Sequence, residues 1–258
     1  MDVRIGCAGW SVPKLSAPAF PAEGSHLERY ARVFPAVEVN SSFYRPHKPE
    51  TWARWAESAP PDFRFAAKVP RSITHERRLK DSTDLLERFL FEVGHLGDRL
   101  GPLLVQLPPT LRFDPAVAEP FFTALRARFG GLIVCEPRHP SWFAEGPAEG
   151  PAEGPERLLI DHAVARVAAD PAPVPQAAEP AGWDGLRYWR LHGSPHMYRS
   201  AYALDVLDRL ARRFRQEARE RPVWCVFDNT AEFHAVDDAL TMIRRLDPSA
   251  GERDKRAG

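Results

Sequence analysis

The chain has 258 residues, 44% of them hydrophobic, and its 35 lysines and arginines balance 35 aspartates and glutamates. Such a composition supports a full globular core, and a formal net charge of zero excludes an overall positive field that would gather nucleic acid or anionic membrane. Cys7, Cys135 and Cys225 are odd in number, far apart and without CxxC spacing, which argues against a disulfide framework or a zinc knuckle.

Apolar, β-branched runs recur along the chain: VRIGCAG near residue 3, AVEVNSSF near 36, FRFAAKV near 63, PLLVQL near 102, LIVCE near 132, HAVARVAAD near 162, LRYWRLH near 186 and VWCVFDN near 223. Segments with helical spacing lie between most of them. STDLLERFLFEVGHLG offers Ser82 as an N-cap, and DPAVAEPFFTALRARFG offers Asp114 as cap, Pro115 at the first helical position and Gly130 at the end. ALDVLDRLARRFRQEARE and AEFHAVDDALTMIRRL repeat the pattern. Eight strands alternating with helices in about 250 residues predict a TIM-type (β/α)8 barrel, as a single α/β domain over residues 1–246.

Two connections break the alternation. EGPAEGPAEGPE after the fifth run is a Pro/Gly repeat read as a surface loop, and PAPVPQAAEPAGWDG after the sixth is read as an extended connection. Residues 247–258 read as a solvated, disordered tail. No stretch of 18 apolar residues occurs and no basic, then apolar, leader opens the chain, so a cytoplasmic protein without a membrane segment is expected.

In a barrel, functional groups sit at the C-terminal ends of the strands. Polar residues accumulate there: Glu38 and Asn40, Lys68, Gln106, Glu136 and Arg138, Asp170, Arg190 and His192, Asp228 and Asn229. Arg71, His139, Tyr44 and Trp142 follow in the adjoining loops. Each polar group would need a partner if buried, so the plainest reading is a set of mouth salt bridges. Its recurrence over seven strands favours a shared cleft.

The stretches GCAGWS, VEVNSSFYRPHKPETWARWAESAPPDFRFAAKVPRSITH, QLPP, EPRHPSWF, LHG and FDNT, in this order, closely resemble the YecE-like family, known as domain of unknown function 72. The resemblance runs from about residue 3 to 240. It implies a TIM-type barrel and leaves the activity open.

Converging cations at the mouth, Lys68, Arg71, Arg138 and Arg190, predict an anionic ligand, because guanidinium forks match phosphate or carboxylate. An anion site of Lys68, Arg138 and Arg190 is expected, with Gln106, His139, Asn40, Asn229, Tyr44 and Trp142 as further binding residues. Glu136, Glu38, His192 and Asp228 are the candidate catalytic groups. Hydrolysis of a phosphate-containing small molecule is the leading reading, and nucleic acid is a possible substrate through Arg71, Arg77, Arg78 and Lys80. Glycoside hydrolysis by Glu38 and Glu136, with Trp10, Tyr44 and Trp142 as sugar platforms, is the second. Binding of an anionic metabolite or partner without turnover is the third.

No metal site is expected: His192 and His196 are four apart, but Gly193 and Pro195 intervene and break the helical spacing that chelation would use. The cofactor stays open. HExxH, Walker and post-strand GxGxxG motifs are absent, and a divalent metal has weak support. Oligomeric state is not indicated.

Overall fold

The eight apolar runs all become strands in the computed structural model of the protein, which describes residues 2–144 and 154–247. In chain order the strands and helices are β1 (Val3–Cys7), α1 (His26–Ala31), β2 (Ala36–Val39), α2 (Ser41–Tyr44), α3 (Pro49–Glu57), β3 (Arg64–Lys68), α4 (Thr83–Val93), β4 (Leu100–Gln106), α5 (Pro115–Arg128) and β5 (Ile133–Glu136). There follow α6 (Pro155–Asp161), β6 (Val164–Arg166), β7 (Ala168–Asp170), β8 (Ala181–Gly182), β9 (Arg187–Leu191), α7 (Leu204–Glu217), β10 (Val223–Phe227) and α8 (His234–Leu246).

Local chemistry explains where these elements start and stop. Asp114 caps α5 by accepting from Ala116 N–H at 3.0 Å, with Pro115 in the first turn, where its missing N–H costs nothing. The helix ends at Arg128, short of Gly130. Ser82 stands before α4, but its hydroxyl donates backwards to Leu79 O at 3.2 Å instead of capping the helix. At α1 the reciprocal Ser25–Glu28 box satisfies two backbone donors. The AVEVNSSF run is strand only to Val39. There Ser42 Oγ reaches Val39 O (2.8 Å) and Lys68 O (2.7 Å), taking up carbonyls at the ends of β2 and β3 while the chain turns into α2.

The strands form two mostly parallel sheets, in the orders β1-β10-β9-β7 and β2-β3-β4-β5-β6-β8. The sixth run serves both: β6 pairs with β5 and β7 with β9, separated only by Val167, whose N–H still donates to Cys135 O at 2.8 Å. On the other side β1 meets β2 through an Ala8–Glu38 bridge, with Gly9 N–H on Glu38 O at 2.9 Å. β8, in the connection read as extended, is a two-residue antiparallel strand on β6. The described part of the EGPA repeat is Gly154 to Glu156, at the start of α6; residues 145–153 lie outside the described residues, as does the expected tail apart from Asp247.

Two apolar clusters result. The larger lies between strands and helices. The smaller, with Ala36, Ala66, Leu104, Val134, Tyr188, Trp224 and Val226 among its members, draws side chains from both sheets. Trp224 stacks on Tyr188 (6.0 Å, 13°) and reaches across to Gly101 of the other sheet, where an added Cβ would lie 2.7 Å from its ring. This inner cluster is the floor on which the polar strand ends rest.

Gly6 is the tightest point of the β1–β2 contact: a Cβ there would stand 2.2 Å from Ala36 O, a backbone atom that cannot swing away. Gly6→Ala should therefore lower stability by about 1–3 kcal/mol or more, read from urea denaturation, although alanine suits a strand better than glycine does.

Candidate functional site

Arg190, in β9, is 1% exposed and sits at the centre of the strand ends. Its Nε and Nη2 form a two-pronged contact with Glu38 of β2, at 3.0 and 2.7 Å. Nη1 meets Glu136 of β5 at 2.5 Å, and Nη2 also meets Asp228, just past β10, at 2.9 Å. Two of these carboxylates come from one sheet and the third follows a strand of the other. Tyr188 O–H adds a bond to Glu38 at 3.1 Å.

His192 joins the same network from beyond β9. Its Nδ1 is 3.0 Å from Asp228 Oδ2, while Nε2 is 3.1 Å from Glu136 Oε1 and 3.0 Å from Arg138 Nη2. Arginine only donates, so a neutral His192 donates from Nδ1 to Asp228 and accepts from Arg138; a protonated one turns its Nε2–H to Glu136. Arg138 also pairs with Glu136 at 2.5 Å, and its buried Nε has no partner. Asn40 approaches Asp228 with Nδ2 at 3.5 Å, leaving a buried Oδ1 unpartnered.

Burial alone would raise the Glu136 carboxyl, but Arg190, Arg138 and His192 outweigh it and hold the group well below the ordinary glutamate range. Burial is likewise the largest influence on Asp228, and Arg190, His192 and Lys68 still keep it low. Arg190 would lose its proton more readily by burial; its three carboxylates reverse that and push it well above its usual value.

Lys68 stands apart. It ends β3 and is only 7% exposed, yet among the described residues its ammonium makes no ion pair and lies over the Phe43 ring at 4.3 Å. Burial first, and then the neighbouring Arg190 charge, lower its pKa to about 8 against the upward pull of Glu38, Asp228 and Glu136. His75 packs edge-on to Phe43 at 4.9 Å and bonds Thr74 at 2.9 Å. Burial and the charges of Lys68, Arg71, Arg138 and Arg78 lower it to about 4.

The remaining sequence candidates are dispersed. Gln106 donates to Leu107 O at 3.2 Å, beside Glu136 in register. Arg71 is half exposed and paired with Glu76 at 3.0 Å. His139 Nδ1 accepts from Ser141 N–H at 3.1 Å, fixing the turn that follows β5. Trp142 lies in the core, 1% exposed, with its indole N–H on Leu111 O, so it lines no open platform. Trp10 packs on Trp55, and Tyr44 is 70% exposed against Phe43. Asn229 is buried and ties Ser200 O and Asp238 together, at 2.9 and 2.7 Å. Phe43, Tyr188 and the orphaned Arg138 Nε were not foreseen. Phe43 sits two residues from Ser41 in a helical turn that a strand reading conceals.

A cleft of about 260 Å3, lined by Phe43, Tyr44, Pro70, Arg71 and Phe89 among others, opens beside the end of β3 without touching the buried charge cluster. Among the described residues no group of three or more His, Cys, Asp or Glu side chains is arranged to hold a metal ion. The site's acids converge on a guanidinium, which fills the centre a cation would need.

The polar strand ends of one α/β domain with parallel sheets thus meet around a single buried arginine. The chain belongs to the family described as Protein of unknown function DUF72, which matches residues 4–257. The UPF0759 protein YecE of Escherichia coli (strain K12) is 37% identical over 180 residues, 69% of this chain and 62% of that protein. The UPF0759 protein YunF of Bacillus subtilis (strain 168) is 27% identical over 150 residues, 55% of this chain and 52% of its own length. The matched regions therefore span less than two thirds of these relatives. A DUF72 protein of Enterococcus faecalis V583 shares the fold with a TM-score of 0.77 at 20% identity, over 95% of both chains. One from Thermotoga maritima MSB8 does so at 0.75 and 23%, over 95% of this chain and 99% of that one.

The ion network should behave as scaffolding under acid. Because the Glu136 carboxyl is held low in the folded state, its stabilising contribution is present above the unfolded glutamate value and is lost as pH falls below about 4. Glu136→Gln should cost about 3 kcal/mol in urea denaturation at pH 7, and the gap from wild type should shrink in acid.

Lys68 should behave oppositely. Its folded pKa of about 8 lies below the unfolded lysine value, so protons favour the unfolded chain, and stability should rise with pH as that penalty is relieved from about 8 to 10. Lys68→Met should raise stability at pH 7, by up to about 3 kcal/mol, with the gain fading in alkaline melts.

Proposed function

We propose that the two sheets are arcs of one TIM-type (β/α)8 barrel and that the protein is an enzyme acting on an anionic, phosphate-containing small molecule at its mouth. Three features support the barrel: the Ala8–Glu38 bridge, the run from β6 to β7 that serves both sheets, and the inner cluster shared between them.

The observation that carries the ligand reading is Lys68, a nearly buried cation without a carboxylate of its own. Three carboxylates lie close by, but Arg190 and Arg138 engage them. Burying a lone charge is costly, and an anion at the mouth would relieve it while also giving the orphaned Arg138 Nε an acceptor. In this reading Arg190 is the anchor of the site and does not itself face the ligand. That narrows the expected Lys68–Arg138–Arg190 triad to its first two members.

Hydrolysis of a phosphoester is the reaction carried forward from the sequence. Carboxylates as tightly held as Glu136 and Asp228 are weak bases, and so is the His75 imidazole, lowered to about 4, so activation of water falls to the Lys68 amine. Glycoside hydrolysis is less well supported, since one carboxyl must arrive protonated and Glu38 and Glu136 share the same guanidinium. A nucleic-acid substrate is also less well supported. Arg71 is paired with Glu76, Arg77 with Asp84, and Arg78 is bonded to Thr110, which leaves less free positive charge to follow a backbone. Among the described residues no helix is long and apolar enough to cross a membrane.

Inorganic phosphate and sulfate should raise the melting temperature of wild type in a saturable way, and Lys68→Met and Arg138→Ala should abolish that rise. Equal rises in all three proteins would overturn the site. Turnover of a phosphomonoester panel then separates an enzyme from a binding protein.

A further inference from the structure

We infer that Lys68 is an amine nucleophile that forms an imine with the carbonyl carbon of an anionic aldehyde or ketone reaching the strand ends, an activity that rests on the mouth taking anions. The geometry sets this lysine apart from a structural cation. It closes β3, its backbone carbonyl is fastened by Ser42 at 2.7 Å, and its ammonium has a ring beneath it instead of an acid. The chain has thirty arginines against five lysines, and the other cations buried in its strands, Arg166 and Arg190, are arginines. An arginine at 68 would carry the same charge but could never offer a lone pair.

The groups facing Lys68 are Arg190 from β9, Glu38 from β2, Glu136 from β5 and Asp228 from beyond β10, with His75 across the Phe43 ring. Desolvation beside another cation is the setting that activates a lysine toward carbonyls. With its pKa lowered to about 8, roughly a tenth of the amine is neutral at pH 7.

The step balances without any redox partner. The amine lone pair attacks the carbonyl carbon and the C–O π bond breaks to give a carbinolamine. The carbonyl oxygen then leaves as water, carrying two hydrogens from the ammonium form of Lys68, and an iminium remains. The positive charge stays on the same nitrogen. The substrate's anionic group would lie against Arg138, whose Nε is unpartnered.

The test uses the wild-type protein, pyridoxal 5′-phosphate or glyoxylate as the probe, and borohydride to fix any imine before peptide mapping. Lys68 should be labelled at least tenfold faster than Lys14, Lys48, Lys80 and Lys255. The rate should rise with a midpoint near pH 8, inorganic phosphate should protect, and pyridoxal without its phosphate should react more slowly. Lys68→Arg, checked for a folded melt, should give no adduct beyond those on the other four lysines. Labelling spread evenly over the lysines, or none at Lys68 while phosphate still raises the melting temperature, would overturn the nucleophile and leave the anion site standing. Selective labelling of Lys68 that phosphate neither slows nor accompanies with a thermal shift would instead overturn the anionic character of the substrate.

Discussion

The guanidinium of Arg190 is the constraint around which the strand ends are organised. Four of its contacts go to three carboxylates, and these approach from β2, from β5 and from the turn after β10. No one sheet could supply that set. Buried ion clusters return little net free energy compared with apolar packing, yet they are intolerant of a missing partner. Such a cluster favours one relative placement of the two sheets over others that would pack comparable apolar area.

A division of labour follows. Glu38, Glu136 and Asp228 look catalytic by type and by position, but their charge is used in holding Arg190, Arg138 and His192. His139 and Trp142, in the EPRHPSWF stretch that runs on from Glu136, organise a turn and fill the core. At the strand ends, among the described residues, the groups left with unused capacity are few: the Lys68 ammonium, Arg138 Nε, Asn40 Oδ1 and Asn229 Oδ1. Unused hydrogen-bonding capacity among strand ends is a better pointer to ligand chemistry than residue type alone.

Much of the fold was legible in the sequence because burial on both faces of parallel strands leaves apolar runs, and all eight runs are strands. Where the reading overran, as at AVEVNSSF, the single hydroxyl of Ser42 reaches back to Val39 O and across to Lys68 O, and the second contact, 26 residues away, is one that no local pattern reports. β8 was hidden because two residues carry no periodicity. At the site, residue types and strand-end positions were readable, but pairings were not. That Glu136 serves Arg190 and Arg138 while Lys68 is left to an aromatic ring depends on angles among strands widely separated in the chain. Phe43 looked like the end of a strand, and nothing local marked it as the partner of Lys68.

Tyr30 gives the β1–β2 contact a character of its own. Those strands share one bridge where the other neighbours share full ladders, and the hydroxyl of this wholly buried tyrosine stands between them, accepting from Cys7 N–H at 2.7 Å and donating to Ala36 O at 3.0 Å. A helix side chain thereby replaces a rung of backbone pairing. The replacement ties the solvent protection of the Cys7 amide to the docking of α1: local fraying of that short helix would expose a strand amide, whereas amides within the regular ladders would need the strands themselves to part. The weakest seam of the sheets thus opens and closes with a six-residue helix on its outside.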